Sequence, residues 1–180
     1  MAGKMETLED LYEDLLKDLY SAEKQLVKAL PKMVKGAEAP DLQNAFKEHL
    51  GQTEQHVERI ERIFSKMDGS PRGKKCVGME GLIEEGAELL KEDVDPDVLD
   101  AGLIAAAQKV EHYEIAGYGT ARAWAEKLGH NDHVRILQET LDEEALANEK
   151  LTELAESFIN MEAQQSNFSG RYPAQTIRSI

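Results

Sequence analysis

The chain has 180 residues, of which 41% are hydrophobic, a single cysteine and a formal net charge of −14. This length can bury one sizeable core, so one domain is expected. The acid excess argues against nucleic acid as a direct partner, because phosphate backbones require basic patches. There is no apolar run of the roughly 20 residues that a membrane span needs, and no secretory signal, so we expect a cytoplasmic protein without a membrane partner.

Two helices are predicted in the first third of the chain. Apolar residues recur every three or four positions over residues 7–34, which is the period of one helix face. Thr7 and Asp10 resemble a capping box at its start. Pro40 begins a second apolar series, which predicts a helix over residues 40–67. The connection is short, so these two helices should form an antiparallel hairpin.

Two more long helices are predicted after an irregular segment, DGSPRGKK, and a shorter amphipathic helix over residues 79–91. Asp95 and Pro96 form a strong helix start, with aspartate as the N-cap and proline in the first turn. The third long helix is therefore predicted over residues 96–128, and the fourth over residues 131–160. Their short connection again predicts an antiparallel pair.

Four long helices without alternating strand patterns indicate an all-α bundle. The second and third helices are linked by residues 68–95, which are enough to return along the bundle and make those two helices parallel. Two antiparallel hairpins joined by a long crossover with an extra short helix is the ferritin-like arrangement. We assign the bundle to residues 1–163 and predict an irregular C-terminal tail over residues 164–180.

Polar side chains lie on or beside the apolar stripe of every long helix, near its middle. They are Glu23, Gln52, Glu111, Glu114 and Glu144. An unpaired buried charge is costly, so such carboxylates need a cation, a salt bridge, a shared proton or access to water. Iron and manganese bind carboxylate oxygens and imidazole nitrogens, and His49 and His56 lie about one turn from Gln52 on either side. The pattern predicts a mid-bundle metal site; the alternative is a partly solvated layer of ion pairs or shared protons.

The other histidines and tyrosines are interpreted as structural. The histidines predicted to lie at the surface are His112, His130 and His133. The tyrosines predicted to be packing residues are Tyr20, Tyr113 and Tyr118. Tyr20 precedes Glu23 by one turn, so it could also support a ligand there.

Cys76 is predicted to lie in a loop, directly after Lys74 and Lys75. Nearby lysines lower the pKa of a thiol. No histidine or acid neighbours this cysteine in sequence, so a catalytic thiol is not predicted.

Four segments resemble the YciF/YciE-type bacterial stress proteins of the ferritin-like superfamily: LYSAEKQLVKALPKM, CVGMEGLIEEG, AAAQKVEHYEIAGYGT and LQETLDEEALANEKLTELA. The resemblance covers roughly residues 7–155. It implies a four-helix bundle with an extra crossover helix, a cytoplasmic homodimer, and induction under osmotic or general stress. It implies no established enzymatic activity.

The resemblance also assigns individual residues. Glu23 matches the family's first-helix glutamate in A-E-K-Q, Glu111 and Glu114 match its E-x-x-E, and Glu144 falls in its D-E-E. The second helix departs, because the family commonly reads H-L-x-E-T where this chain has Gln52. An amide bridges two cations poorly, so the substitution favours a mononuclear, weakened or empty iron or manganese site over a dinuclear one.

The sequence therefore favours a stress protein with a mid-bundle metal site and no catalytic residue. One alternative is a metal-free helical dimer with a structural or interaction role. Another is a di-iron or di-manganese oxidase or peroxidase, against which Gln52 argues.

Overall fold

The computed structural model describes residues 5–171, and the side chains through residue 166. Helices are the only regular secondary structure among the described residues. These are α1 (Leu8–Gly36), α2 (Pro40–Lys66), α3 (Val77–Leu89), α4 (Pro96–Leu128), α5 (Asn131–Leu154), a π-helical turn (Ala155–Ile159) and α6 (Asn160–Arg171). None of these helices is long and apolar enough to cross a membrane.

The helix ends are set by local hydrogen bonds that the sequence predicted. The Thr7 hydroxyl accepts the N–H of Asp10, and the Asp10 carboxylate accepts the N–H of Thr7. Asp95 caps α4 by accepting the N–H of Asp97 at 3.1 Å. Gly129 ends α4 with a φ of 81°, a left-handed conformation that costs glycine little.

The helices form two antiparallel hairpins, α1 with α2 and α4 with α5. Asp100, near the start of α4, accepts the N–H groups of Glu38 and Ala39 after the end of α1, at 2.9 and 2.7 Å. Tyr118, late in α4, contacts Glu23 in the middle of α1. Thus α4 runs antiparallel to α1 and parallel to α2, and the crossover carries α3. The predicted ferritin-like fold is confirmed.

Buried apolar residues form two clusters, one toward each end of the bundle. The first includes Leu26, Leu30, Phe46, Leu103 and Leu151. The second includes Leu16, Leu19, Ile60, Phe64 and Leu137. Polar residues separate the clusters: Glu23 lies between Leu19 and Leu26 in α1. A polar layer therefore crosses the middle of the core.

The C-terminal helix extends beyond residue 160, where the sequence predicted its end. The π-helical turn adds a residue to one helical turn and shifts the apolar period there, so the continuation was not visible as a single stripe. Ile159 is buried by this shift, and Ser166 of α6 donates to Asp95 at 2.7 Å. Helix continues through residue 171 of the predicted irregular tail; residues 172–180 lie outside the described part of the chain.

Candidate metal centre

Six of the seven predicted ligands meet in the polar layer. They are Glu23 of α1, His49 and His56 of α2, Glu111 and Glu114 of α4, and Glu144 of α5, none more than 6% exposed. Spacings of three and seven residues return to the same helix face, which explains why α2 and α4 each present two of them. The seventh, Gln52, is half-buried and lines a cavity beside His49 and Glu111.

The six side chains form two overlapping sets of donor atoms. In the first set, which we call the His49 half, His49, Glu111, Glu114 and Glu144 each offer an atom, all within 4.8 Å of one another. In the second set, the His56 half, Glu23, His56 and Glu144 meet the same distance limit. Glu144 belongs to both halves, so its carboxylate is placed to bridge two cations.

These residues carry nine buried nitrogen or oxygen atoms without a hydrogen-bond partner. Among the described residues, no other buried side-chain atom lacks one. An unpartnered buried polar atom costs about 1–3 kcal/mol, so folded proteins contain few. Nine in one layer can be satisfied by protons shared among the side chains or by a cation, which accepts lone pairs from carboxylate and imidazole alike.

The distances between donor atoms also fit a shared cation. His56 Nδ1 lies 2.9 Å from Glu144 Oε1 and 3.4 Å from Glu23 Oε1. The ring nitrogen nevertheless has no hydrogen bond, so its alignment with both oxygens is poor. Adjacent ligands of an octahedral cation with bonds of about 2.1 Å lie about 3 Å apart. These distances therefore fit ligands around one cation as well as ion pairs between His56 and the two carboxylates.

Burial makes two of the carboxylates difficult to ionise. Desolvation, together with the neighbouring charge of Glu144, raises the pKa of Glu111 well above its ordinary value. Desolvation and the charges of Glu23 and Glu144 do the same to the pKa of Glu114. Without a cation these groups therefore favour their protonated form more strongly than exposed carboxyls do, and a bound cation has to displace the protons.

The remaining groups form a charged cluster around His56. Burial acts against its charged form, but Glu144 and Glu23 outweigh this and raise the pKa of His56 to about 11. Burial also acts against the charged form of Glu144, yet His56 and His49 outweigh it and bring its pKa below the ordinary value. Desolvation raises the pKa of Glu23 despite its contact with His56. These contacts are the ion pairs that the alternative prediction requires, although the layer is buried rather than partly solvated.

A second row of residues orients His56. Its Nε2 atom lies 2.7 Å from Glu143 Oε2, and Arg59 holds that carboxylate with bonds of 2.6 and 2.9 Å. Arg59 also donates to Thr140 and Glu139, at 3.2 and 2.7 Å. Metal-binding histidines commonly donate their outer N–H to a carboxylate, which leaves the inner nitrogen free to bind the cation.

Tyr118 supports Glu23 in a similar way. Its hydroxyl donates to Glu23 Oε1, and burial raises the pKa of Tyr118 well above its ordinary value, so it remains a donor. Its ring also lies edge-on to that of His56, with centroids 6.2 Å apart. Sequence reasoning treated Tyr118 as a packing residue and considered Tyr20 as the support, but Tyr20 donates to Glu61 instead, at 2.8 Å.

The residues that support the candidate ligands are only weakly indicated by the sequence. Tyr118 follows Glu114 by four positions and Arg59 follows His56 by three, so each lies one turn from a ligand. Glu143 is adjacent to Glu144 and points to a different side, which spacing alone did not distinguish from a surface position.

The His49 half has no such support. Neither ring nitrogen of His49 has a hydrogen-bond partner among the described residues. A cavity of about 380 Å³ between α2 and α5 reaches this half, and its walls include His49, Gln52 and Glu111. This side of the layer is therefore open, whereas the other is covered.

One prediction outside the layer, the exposure of His133, is wrong. His133 is only 6% exposed, because Tyr12 of α1 packs against it and their Nδ1 and hydroxyl atoms lie 3.1 Å apart. His130 is half-buried and pairs with Glu9 at 2.9 Å. His112 is exposed, as predicted.

Cys76 lies in the loop before α3, as predicted, but the expected lowering of its pKa by the neighbouring lysines is wrong. Burial raises the pKa of its thiol, and Lys74 pairs with Asp14 at 2.5 Å rather than with the sulfur. The Sγ atom lies 2.9 Å from the Tyr113 hydroxyl and accepts the N–H of Met79 at 3.4 Å. Cys76 is thus the N-cap of α3.

The fold and this layer define a ferritin-like bundle protein with a buried carboxylate–histidine centre. Residues 7–164 match the family described as Domain of unknown function (DUF892), and the chain belongs to that family. It is similar to Protein YciF of Escherichia coli (strain K12), with 47% identity over 161 residues, covering 89% of this chain and 97% of that protein. The resemblance stated from the sequence is confirmed.

Solved structures of related proteins share this fold. The crystal structure of the E. coli stress protein YciF matches with a TM-score of 0.84 and 46% identity, covering 87% of this chain and 99% of that one. YcfI of Rhodopseudomonas palustris, provisionally described as structural, matches with a TM-score of 0.81 and 47% identity, covering 84% and 97%. A protein of Xanthomonas campestris pv. campestris shares the fold at 19% identity, with a TM-score of 0.70 and coverage of 89% and 99%.

Proposed function

We propose that this protein is a ferritin-like stress protein that holds two divalent cations, one in each half of the layer, with Glu144 shared. The observation that carries the proposal is the group of nine unpartnered buried atoms, all on six residues from four helices. Four glutamates and two histidines are also the donors of dinuclear carboxylate bundles. The stress role rests on similarity to YciF, which is described as a stress protein.

Charge supports two cations rather than one. The layer contains four carboxylates and two imidazoles. Two divalent cations neutralise four ionised carboxylates while both imidazoles stay neutral ligands. A single cation leaves two negative charges buried or protonated, and buried charge without a partner is strongly unfavourable.

The donor types favour iron or manganese. Oxygen donors combined with imidazole nitrogens suit these metals, whereas magnesium and calcium prefer oxygen alone. Gln52 removes one carboxylate relative to the family's common motif, but six donor residues, His56 among them, still meet in the layer. We therefore favour a dinuclear site despite Gln52. The cytoplasmic setting and the homodimer are proposed on the family resemblance.

Metal analysis of protein purified without chelator or affinity metal tests the proposal. The cells are supplied with iron and manganese. About two equivalents are expected in the wild type, and Glu144→Ala should lose both. Asp142→Ala, an exposed carboxylate on the same helix, is the matched control and should keep them. Substoichiometric metal, unchanged in Glu144→Ala, would refute the site.

A second candidate is an oxidase or peroxidase, favoured by the cavity that reaches the His49 half from the surface. Small molecules could meet a cation there. Peroxide consumption that requires added iron or manganese, and that Glu114→Ala abolishes, would support this candidate. No turnover by the metal-loaded protein would leave the binding function alone.

A further inference from the structure

We propose that the cleft between α2 and α5 is the route by which a divalent cation enters and leaves the centre, guided by acidic residues at its mouth. The inference rests on the proposed metal binding. The cleft has a volume of about 380 Å³. Its inner wall includes His49 and Glu111, which are 6% and 2% exposed and carry unpartnered atoms.

The mouth of the cleft is negatively charged. Glu48 of α2 and Glu149 and Glu153 of α5 line it and are exposed, with Lys150 as the single cationic residue of the lining. Lys150 pairs with Glu48 across the cleft, whereas Glu149 and Glu153 make no ion pair with any described residue. A cleft lined by one sign of charge raises the local concentration of counter-ions and speeds their association.

Gln52 is intermediate in burial between the exposed acidic residues of the mouth and the buried ligands. It lines the same cleft as His49 and is half-buried. Its amide oxygen offers a neutral ligand to a passing cation. A carboxylate would hold the cation more strongly at this point, so the amide favours passage over retention.

The opposite side of the His49 half offers a poor route. A second cavity, beneath α3, reaches His49 and Glu111 but has a volume of only about 40 Å³. Its other lining residues are mostly aliphatic, such as Leu30 and Ile83. One water occupies about 30 Å³ in the liquid, and a divalent cation travels with several. The His56 half is covered by Arg59 and Glu143. A cation therefore reaches the His49 half first and passes Glu144 to the other half.

Stopped-flow measurement of Co²⁺ binding to the metal-free full chain tests this route. At low ionic strength, Glu149→Gln combined with Glu153→Gln should slow uptake by about 3- to 10-fold. The difference should shrink in high salt, because exposed charges are screened. The control is Glu84→Gln combined with Glu88→Gln, which removes the same charge from exposed positions on α3 and should not slow uptake.

Two further variants act on the cleft itself. Lys150→Gln removes the positive charge at the mouth, so uptake should become several-fold faster, the opposite sign to the acid variant. Ala147→Phe places a ring in the cleft wall and should slow uptake and release by similar factors, with little change in affinity. A structural defect would instead change the affinity.

The outcomes separate the route from the site. If the wild type binds Co²⁺ but the double variants in the cleft and on α3 change the rate of uptake equally, the acidic residues at the mouth do not guide the cation. If Ala147→Phe leaves both rates unchanged, the cleft is not the route, although the site stands. If the wild type binds no Co²⁺, both the site and the route are overturned.

Discussion

The His56 half and the His49 half draw on the same kinds of ligand but differ in everything around them. Glu143 and Arg59 fix the ring of His56, and Tyr118 fixes Glu23. His49 has neither kind of support and borders an open cleft. Because outer hydrogen bonds orient ligands and raise affinity, the covered half should bind its cation more tightly and exchange it more slowly.

The largest effect should come from Glu144, the residue common to both halves. Glu144→Ala should remove both cations and lower Mn²⁺ affinity in each half by on the order of 100-fold or more. This loss of affinity should exceed the loss caused by removing a residue that only supports a ligand. Glu111→Gln should affect only the His49 half, and Glu23→Gln only the His56 half. Isothermal titration with Mn²⁺ measures the stoichiometry. Equal losses in all three variants would show that the halves are not separate.

The outer row should matter next. Arg59→Met removes the guanidinium that holds the carboxylate of Glu143 against His56. The Mn²⁺ affinity of the His56 half should therefore fall by about 10- to 100-fold. Glu139→Gln is the control, because Glu139 contacts the same arginine but is 58% exposed. Titration of both variants measures the difference. A loss at the His49 half instead would reverse the assignment of support.

Gln52→Glu tests whether the open half can be strengthened. A carboxylate at this position adds charge beside His49 and Glu111, so the weaker Mn²⁺ site should tighten by about 10-fold. Release of Mn²⁺ to excess chelator should slow by a similar factor. An unchanged release rate would show that residue 52 does not reach the cation.

The smallest effect is expected in the pH dependence of the metal-free protein. The raised pKa values of Glu111 and Glu114 mean that their contribution to stability is complete below about 4.5 and is lost as the pH rises. His56 acts in the same direction, with stability complete below 6.5 and lost as the pH approaches 11. The lowered pKa of Glu144 acts oppositely, since its contribution is lost as the pH falls below 4.5.

Metal-free protein should therefore melt roughly 5 °C lower at pH 8 than at pH 5.5. Glu114→Gln keeps the shape but does not titrate, so it should reduce this difference. Excess Mn²⁺ should reverse it, because the cation binds the deprotonated groups. Thermal melts monitored by circular dichroism measure both effects. A metal-free protein that is more stable at pH 8 would contradict the protonated layer.

The sequence predicted the helices, and the polar residues that meet in the buried layer, better than the surroundings of that layer. Caps at Thr7 and Asp95 act within a few residues, so the helix starts could be located from the sequence. The period of 3.6 residues placed Glu23 and Glu114 on the packed faces. The partners of His56 depend on how α2 and α5 are rotated against each other, which no spacing along one helix specifies. The continuation into α6 was hidden for a different reason, because the π-helical turn interrupted the period along a single helix.

Anomalous diffraction from crystals of the full chain grown with Mn²⁺ tests the central claim most directly. Two peaks are expected in the middle of the bundle, about 3.5–4 Å apart, on either side of the Glu144 carboxylate. The peak beside His56 should have the higher occupancy. An empty layer, or manganese only on exposed carboxylates, would contradict the dinuclear centre.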